Sequence, residues 1–83
     1  AEIIYTDHYG NAFTGLRSSE ADESRVLLVG QERLPHARVF GDAPRGRAFW
    51  YVNSLGLVEV AIPGESAARM LGIRVGDPVQ WAA

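Results

Sequence analysis

Arg47-Ala48-Phe49-Trp50-Tyr51-Val52-Asn53-Ser54-Leu55-Gly56-Leu57-Val58-Glu59-Val60-Ala61-Ile62 is the stretch that decides the fold. Its first half, Arg47 to Asn53, is rich in aromatic and β-branched side chains, which pack well on a pleated surface. Ser54-Leu55-Gly56 then turns the chain, with glycine free to take the positive φ that a tight turn demands. Leu57 to Ile62 runs back as a second strand. The stretch reads as an antiparallel hairpin.

Working upstream, Glu2 to Thr6 and Ala12 to Leu16 are strands around the turn His8-Tyr9-Gly10-Asn11. Arg17 to Glu23 is polar and reads as a surface loop. Arg25 to Val29 is a nearly continuous apolar run, and Gly30 starts a turn into Leu34 to Phe40. Pro35 has no amide donor, so that return strand is expected to begin there or to lie at an edge. Gly41 to Gly46 is a loop. Downstream, one segment reads as helical: Gly64 to Gly72, with Glu65 in its first turn and a glycine at its end. Ala67, Met70 and Leu71 follow helical spacing and are expected to dock on the sheet, because two turns are not stable alone. Val79 to Trp81 is a last strand. About seven strands and one short helix predict a mostly β domain, a small antiparallel barrel or sandwich.

The 83 residues make one domain over 1–83, with 47% hydrophobic and 22% charged residues, ordinary globular values. Size scaling leaves about 60% of the chain's surface buried, too little for a deep self-contained cleft. Cysteine is absent, which excludes disulfides and thiolate metal sites. Every basic side chain is arginine, so lysine Schiff-base chemistry is also excluded. A net charge of -2 gives no general attraction to nucleic acid, and no apolar run approaches a membrane span. The chain opens on Ala1 and runs directly into a strand, which suggests a piece of a longer protein.

No catalytic constellation stands out. Asp7 and His8 are neighbours whose side chains point apart on a strand. His36 has no second ligand at metal spacing, and Glu20, Asp22 and Glu23 read as a solvated acidic loop. Recognition chemistry remains. The Asn11 carboxamide offers an acceptor and donors that match the N6/N7 edge of adenine, although spacing alone favours a plain turn residue at positive φ. Ser54-Leu55-Gly56 could present a hydroxyl and backbone amides to an anion, although a simple serine turn is the favoured reading. Phe40, Trp50 and Tyr51 suit either base stacking or a core.

The order of the tracts resembles the carboxy-terminal domain of the S-adenosyl-L-methionine (SAM) hydroxide adenosyltransferases, relatives of the fluorinase and chlorinase. The tracts are Asp7-His8-Tyr9-Gly10-Asn11-Ala12-Phe13-Thr14, Phe40-Gly41-Asp42-Ala43-Pro44-Arg45-Gly46, Asn53 to Ala61, Gly64 to Ala68, and Leu71 to Val79. Together they cover nearly the whole chain. The resemblance implies a cytoplasmic parent enzyme with an amino-terminal α/β domain, in which water attacks the ribose C5′ of SAM to give adenosine and methionine. It implies SAM as substrate with no further cofactor. It also implies a homotrimer in which the α/β domain of a neighbouring subunit completes the site, with no nucleic-acid or membrane partner.

By the resemblance, Asn11 holds the adenine edge, Ile62 contacts adenine through its backbone and Phe40 lines the adenine pocket. Ser54 holds the substrate's polar end, Asp7 accepts from the methionine amino group, and Glu59 matches a further adenosine-site position. Catalytic residues are expected in the α/β domain, not here. Tyr9 stands where the family commonly has phenylalanine, and Gly15 where it has asparagine. Leu55 and Ile62 replace arginines of the fluorinase, which favours hydroxide over halide as nucleophile. Two other classes compete with this one. A PDZ-like peptide-binding module shares the helix and Gly-Asp turn but not the chain order; a purely structural β module is the other.

Overall fold

A computed structural model describes residues 1–38 and 43–83; the expected roles of Phe40, Gly41 and Asp42 fall outside those residues. In chain order the strands are β1 (Ile3–Thr6), β2 (Ala12–Arg17), β3 (Leu27–Val29), β4 (Glu32–Leu34), β5 (Phe49–Val52) and β6 (Leu57–Ala61). The helix α1 (Ala67–Leu71) and strand β7 (Val79–Trp81) follow, and a single 3-10 turn spans Ser18–Glu20. One antiparallel sheet has the order β1-β2-β6-β5, the other β4-β3-β7. The quoted hairpin forms as read, with Tyr51 opposite Glu59 and Val52 opposite Val58.

The two sheets make a sandwich, and its seams are stitched without closing a barrel. At one seam Glu2 bridges Pro78, the Ile3 N–H donates to the Asp77 carbonyl (2.8 Å) and the Gly76 N–H to the Ile3 carbonyl (2.7 Å). At the other seam the expected strand from Leu34 divides between sheets. β4 stops before Pro35, whose missing N–H ends the ladder. The Pro35 carbonyl then accepts the Trp50 N–H (3.0 Å), and the Ala37 N–H donates to the Trp50 carbonyl (3.1 Å), so the chain crosses onto the edge of β5.

The core lies between the sheets. Ile3, Leu27, Trp50, Val58 and Val60 are fully buried there, and the Trp50 indole N–H donates to the Arg25 carbonyl (3.1 Å). Buried Thr14 sits where the β2–β6 register shifts between Phe13 and Arg17. Its hydroxyl donates to the Val58 carbonyl (2.8 Å) and accepts the Leu16 N–H (3.1 Å), which satisfies backbone groups freed by the irregularity.

The helix is shorter than the spacing predicts. Ser66 caps it, accepting the Arg69 N–H (3.1 Å), and Gly72 ends it at φ 66°. Glu65 stays outside the helix because Ser66, after it, is an extended N-cap (ψ 115°), and its N–H donates to the Ile62 carbonyl (3.1 Å). Ala67 is buried and Leu71 half-buried, whereas Met70 is 60% exposed. In one and a half turns the docked stripe is centred between i and i+4, which leaves i+3 at its rim.

Candidate functional site

The β1–β2 turn is built by Asp7. Its Oδ1 accepts the Tyr9 and Asn11 N–H groups, both at 2.9 Å, and its backbone pairs with Asn11 (2.9 Å). Gly10 takes the positive φ of this turn, +86°, and no described non-glycine residue has one. Asn11 is therefore not a positive-φ turn filler. Its half-buried carboxamide makes no hydrogen bond among the described residues. It faces an open hollow of about 590 Å³ lined by Tyr9, Asn11, Ile62, Gly64, Glu65 and Ser66. Tyr9 is 77% exposed at its lip. The helix end is part of this wall, for the Ala68 N–H donates to the Gly10 carbonyl (2.8 Å).

A second hollow of about 390 Å³ contains Ser54 and Glu59, with Phe13, Arg38, Tyr51, Val52, Asn53 and Leu55. Exposed Ser54 tips the β5–β6 hairpin. The tip is a simple turn, with the Leu55, Gly56 and Leu57 amides engaged inside it and not offered to an anion. The Asn53 Oδ1 accepts the Leu55 N–H (2.9 Å) and the Leu57 N–H (3.1 Å), and the Asn53 carbonyl accepts the Gly56 N–H (3.0 Å). The Ser54 hydroxyl remains as a contact group at the tip.

Glu59 forms the floor between Phe13 and Tyr51, its cross-strand neighbours, and is 4% exposed. Oε2 accepts the Tyr51 hydroxyl (2.5 Å), and Oε1 accepts the Asn53 Nδ2–H (3.1 Å). Burial, then the hydrogen bond to Glu59 and the negative charges of Glu59 and Asp7, hold the Tyr51 phenol well above its ordinary pKa.

The structure thus brings Asn11 together with Ile62, and Ser54 together with Glu59, but in separate hollows. The pairing of Ala12 with Val60 puts Asn11 beside the end of β6, whereas Ser54 lies before its start. The length of β6 separates them, roughly 14 Å at about 3.4 Å per residue. Asp7 sits at the Asn11 end, not in the Ser54 hollow, with Oδ1 engaged by the turn. Trp50 belongs to the core, and His36 packs on it with ring centroids 4.6 Å apart. His8 stacks edge-on against Tyr9 (5.5 Å) and makes no pair with Asp7 among the described residues. No three described His, Asp or Glu side chains group as metal ligands.

Sequence reasoning missed Ser66, Arg38 and Asn53. Ser66 approaches Gly10 only through the long-range docking of α1, for which no local signal exists. Asn53 did carry one: an asparagine two residues before a turn amide is a common side-chain-to-backbone acceptor.

These features define a class, a small antiparallel β-sandwich module with open hollows at both ends of one central strand. Within that class, residues 1–80 match the SAM hydroxide adenosyltransferase C-terminal domain, and the chain belongs to this family. It is 39% identical over 79 residues to the (R)-S-adenosyl-L-methionine hydrolase of Thermus thermophilus, covering 95% of this chain and 30% of that protein. It is 40% identical over 84 residues to the enzyme of the same name from Salinispora arenicola, covering 100% of this chain and 32% of that protein. The chain therefore spans about a third of the length of these relatives. A crystal structure of a conserved hypothetical protein from Thermus thermophilus superimposes with a TM-score of 0.89 at 38% identity, over 98% of this chain and 34% of that one. A Thermotoga maritima structure at 23% identity shares the fold, with a TM-score of 0.83 over 98% of this chain and 35% of that one.

Proposed function

We propose that this chain is the carboxy-terminal substrate-binding domain of a cytoplasmic SAM hydrolase that converts SAM and water to adenosine and methionine. Asn11 holds the adenine edge, with the Ile62 backbone beside it. Ser54 contacts the amino-acid end, Glu59 supports the site beside it, and Asp7 holds the turn that presents Asn11. SAM carries an adenosine and an amino acid at opposite ends of an elongated molecule, which suits recognition groups spaced along β6. An amino-terminal α/β domain, contributed by a neighbouring subunit of a homotrimer, supplies the opposite wall.

The chemistry assigned to the parent asks little of this domain in proton transfer. Water oxygen bonds to C5′ as the C5′–S bond breaks, the sulfonium leaves as a neutral thioether, and the water proton is released. No general acid is needed for such a leaving group. Alignment and exclusion of bulk water then supply the acceleration.

The observation that carries the proposal is Asn11, whose carboxamide is left unbonded at a hollow while Gly10 absorbs the strain of the turn. Deleting a half-buried polar contact costs about 1–3 kcal/mol. Asn11→Ala in the full-length protein is therefore expected to raise the adenosine Kd roughly 5- to 150-fold. Isothermal titration with adenosine measures this, and an unchanged Kd removes Asn11 from the site.

A further inference from the structure

Glu59 is a carboxylate placed where an apolar residue would pack at lower cost, since an ionised group under the surface needs its hydrogen bonds to be tolerated. Val58 and Val60, on either side of it, point into the core, while Glu59 lies on the opposite face with 4% exposure. Both of its oxygens already have protein partners, Tyr51 at 2.5 Å and Asn53 at 3.1 Å.

An asparagine amide has a donor end and an acceptor end, and an ionised carboxylate can only accept. Glu59 therefore forces the Asn53 NH2 group toward itself, which turns the Asn53 Oδ1 toward the hairpin tip. There Oδ1 accepts the N–H groups of Leu55 (2.9 Å) and Leu57 (3.1 Å), the residues that flank the tip on the return side. With the amide reversed, two N–H groups would face two N–H groups and the tip would open. Tyr51, donating to the other oxygen, fixes the rotation of the carboxylate.

We propose that Glu59 is a positioning residue for Ser54: through Asn53 it sets the shape of the 53–57 turn and hence where the Ser54 hydroxyl meets the ligand. This rests on the functional reading in which Ser54 holds the amino-acid end of SAM. Glu59 acts on the ligand through the turn, not by touching the nucleoside.

The test uses the full-length protein, with SAM turnover, adenosine binding, and hydrogen exchange at the Leu55 and Leu57 amides. Glu59→Ala is expected to raise KM for SAM by about the factor that Ser54→Ala does, with the adenosine Kd unchanged. The double variant is expected to be no worse than Ser54→Ala alone, since two changes in one chain of contacts do not add. Exchange at Leu55 and Leu57 should quicken at least tenfold. Glu59→Gln can still accept from Asn53 and donate to the Tyr51 oxygen, so it should recover most of the loss. Should Glu59→Ala not fold, Asn53→Ala cuts the same link with Glu59 and Tyr51 left in place, and the same shifts are expected.

Additive losses, a weakened adenosine Kd in Glu59→Ala, or a Glu59→Gln as impaired as Glu59→Ala would each overturn the proposal. So would unchanged amide exchange in Asn53→Ala. The failure of the underlying reading looks different. Ser54→Ala would then leave KM for SAM unaltered, which removes the ligand role of the tip even if exchange at Leu55 and Leu57 responds as expected.

Discussion

Tyr51 holds its proton more tightly than an ordinary phenol does. Its phenol is pushed above the ordinary value of 10.0 by burial first, then by the bond to Glu59 and by the charges of Glu59 and Asp7. In the unfolded chain the same phenol ionises near its ordinary value. Above that pH the folded protein binds more protons than the unfolded one, so stability decreases as pH rises. The contribution is fully present below pH 10 and is lost as pH climbs from there through the higher folded value. Tyr51→Phe removes this group, at a cost near neutrality of about 1–3 kcal/mol for leaving a Glu59 oxygen without its partner. Thermal melts between pH 8 and about 11.5 are expected to show the wild-type Tm falling more steeply above pH 10 than that of Tyr51→Phe. Parallel curves would show that the phenol titrates no differently in the folded state.

The meeting of the β1–β2 turn with α1 is the element-level contact that shapes the Asn11 hollow. A Cβ on Gly10 would stand 1.9 Å from the Ser66 Oγ and 2.9 Å from the Ser66 Cα, at a φ of +86°. Gly30 has a comparable φ of +61° but nothing within 4 Å of such a Cβ. Gly30→Ala should therefore cost only the backbone term, about 1–2 kcal/mol. Gly10→Ala adds overpacking and should cost about 2–5 kcal/mol in all. Urea midpoints compare the two directly, and equal losses would mean that the turn and helix are not in tight contact. None of this contact is legible in the sequence, where residues 10 and 66 are far apart. What is legible is local: the β5–β6 hairpin, the glycine that ends α1 and the turn at Gly30 all follow from short-range patterns. The return strand after Gly30 lies at a sheet edge, as Pro35 implies, but it ends at Leu34 because Pro35 stops one ladder and lends its carbonyl to another sheet. Asn11 reads as a candidate recognition group only with its neighbours in the Asp7 to Thr14 tract. Its freedom from turn duty follows from Gly10, and shows only in the backbone angles.

At the scale of the molecule, a body of 27 × 27 × 25 Å offers two open hollows, lined by different described residues, at the two ends of one strand. An elongated ligand laid along β6 would keep its far side in water, whereas displacement at carbon by one water molecule needs the others excluded. Neither hollow holds a described histidine, the side chain best suited to take a proton from that water near neutral pH. Glu65, at the Asn11 hollow, is exposed, and Glu59 has both oxygens occupied. The isolated 83-residue domain is therefore expected to bind adenosine at most weakly and to release no adenosine from SAM. On the proposed function, the full-length protein is expected to bind adenosine firmly and to release it from SAM. Chromatographic assay of SAM and adenosine after prolonged incubation with the purified domain, at high enzyme concentration, distinguishes the cases. Turnover that scales with the amount of pure domain and disappears in Asn11→Ala would mean that the chemistry resides in these residues after all, and that the second wall is dispensable. If turnover instead appears only when the rest of the chain is present, the β module orients substrate and the reacting water is handled across the cleft from it.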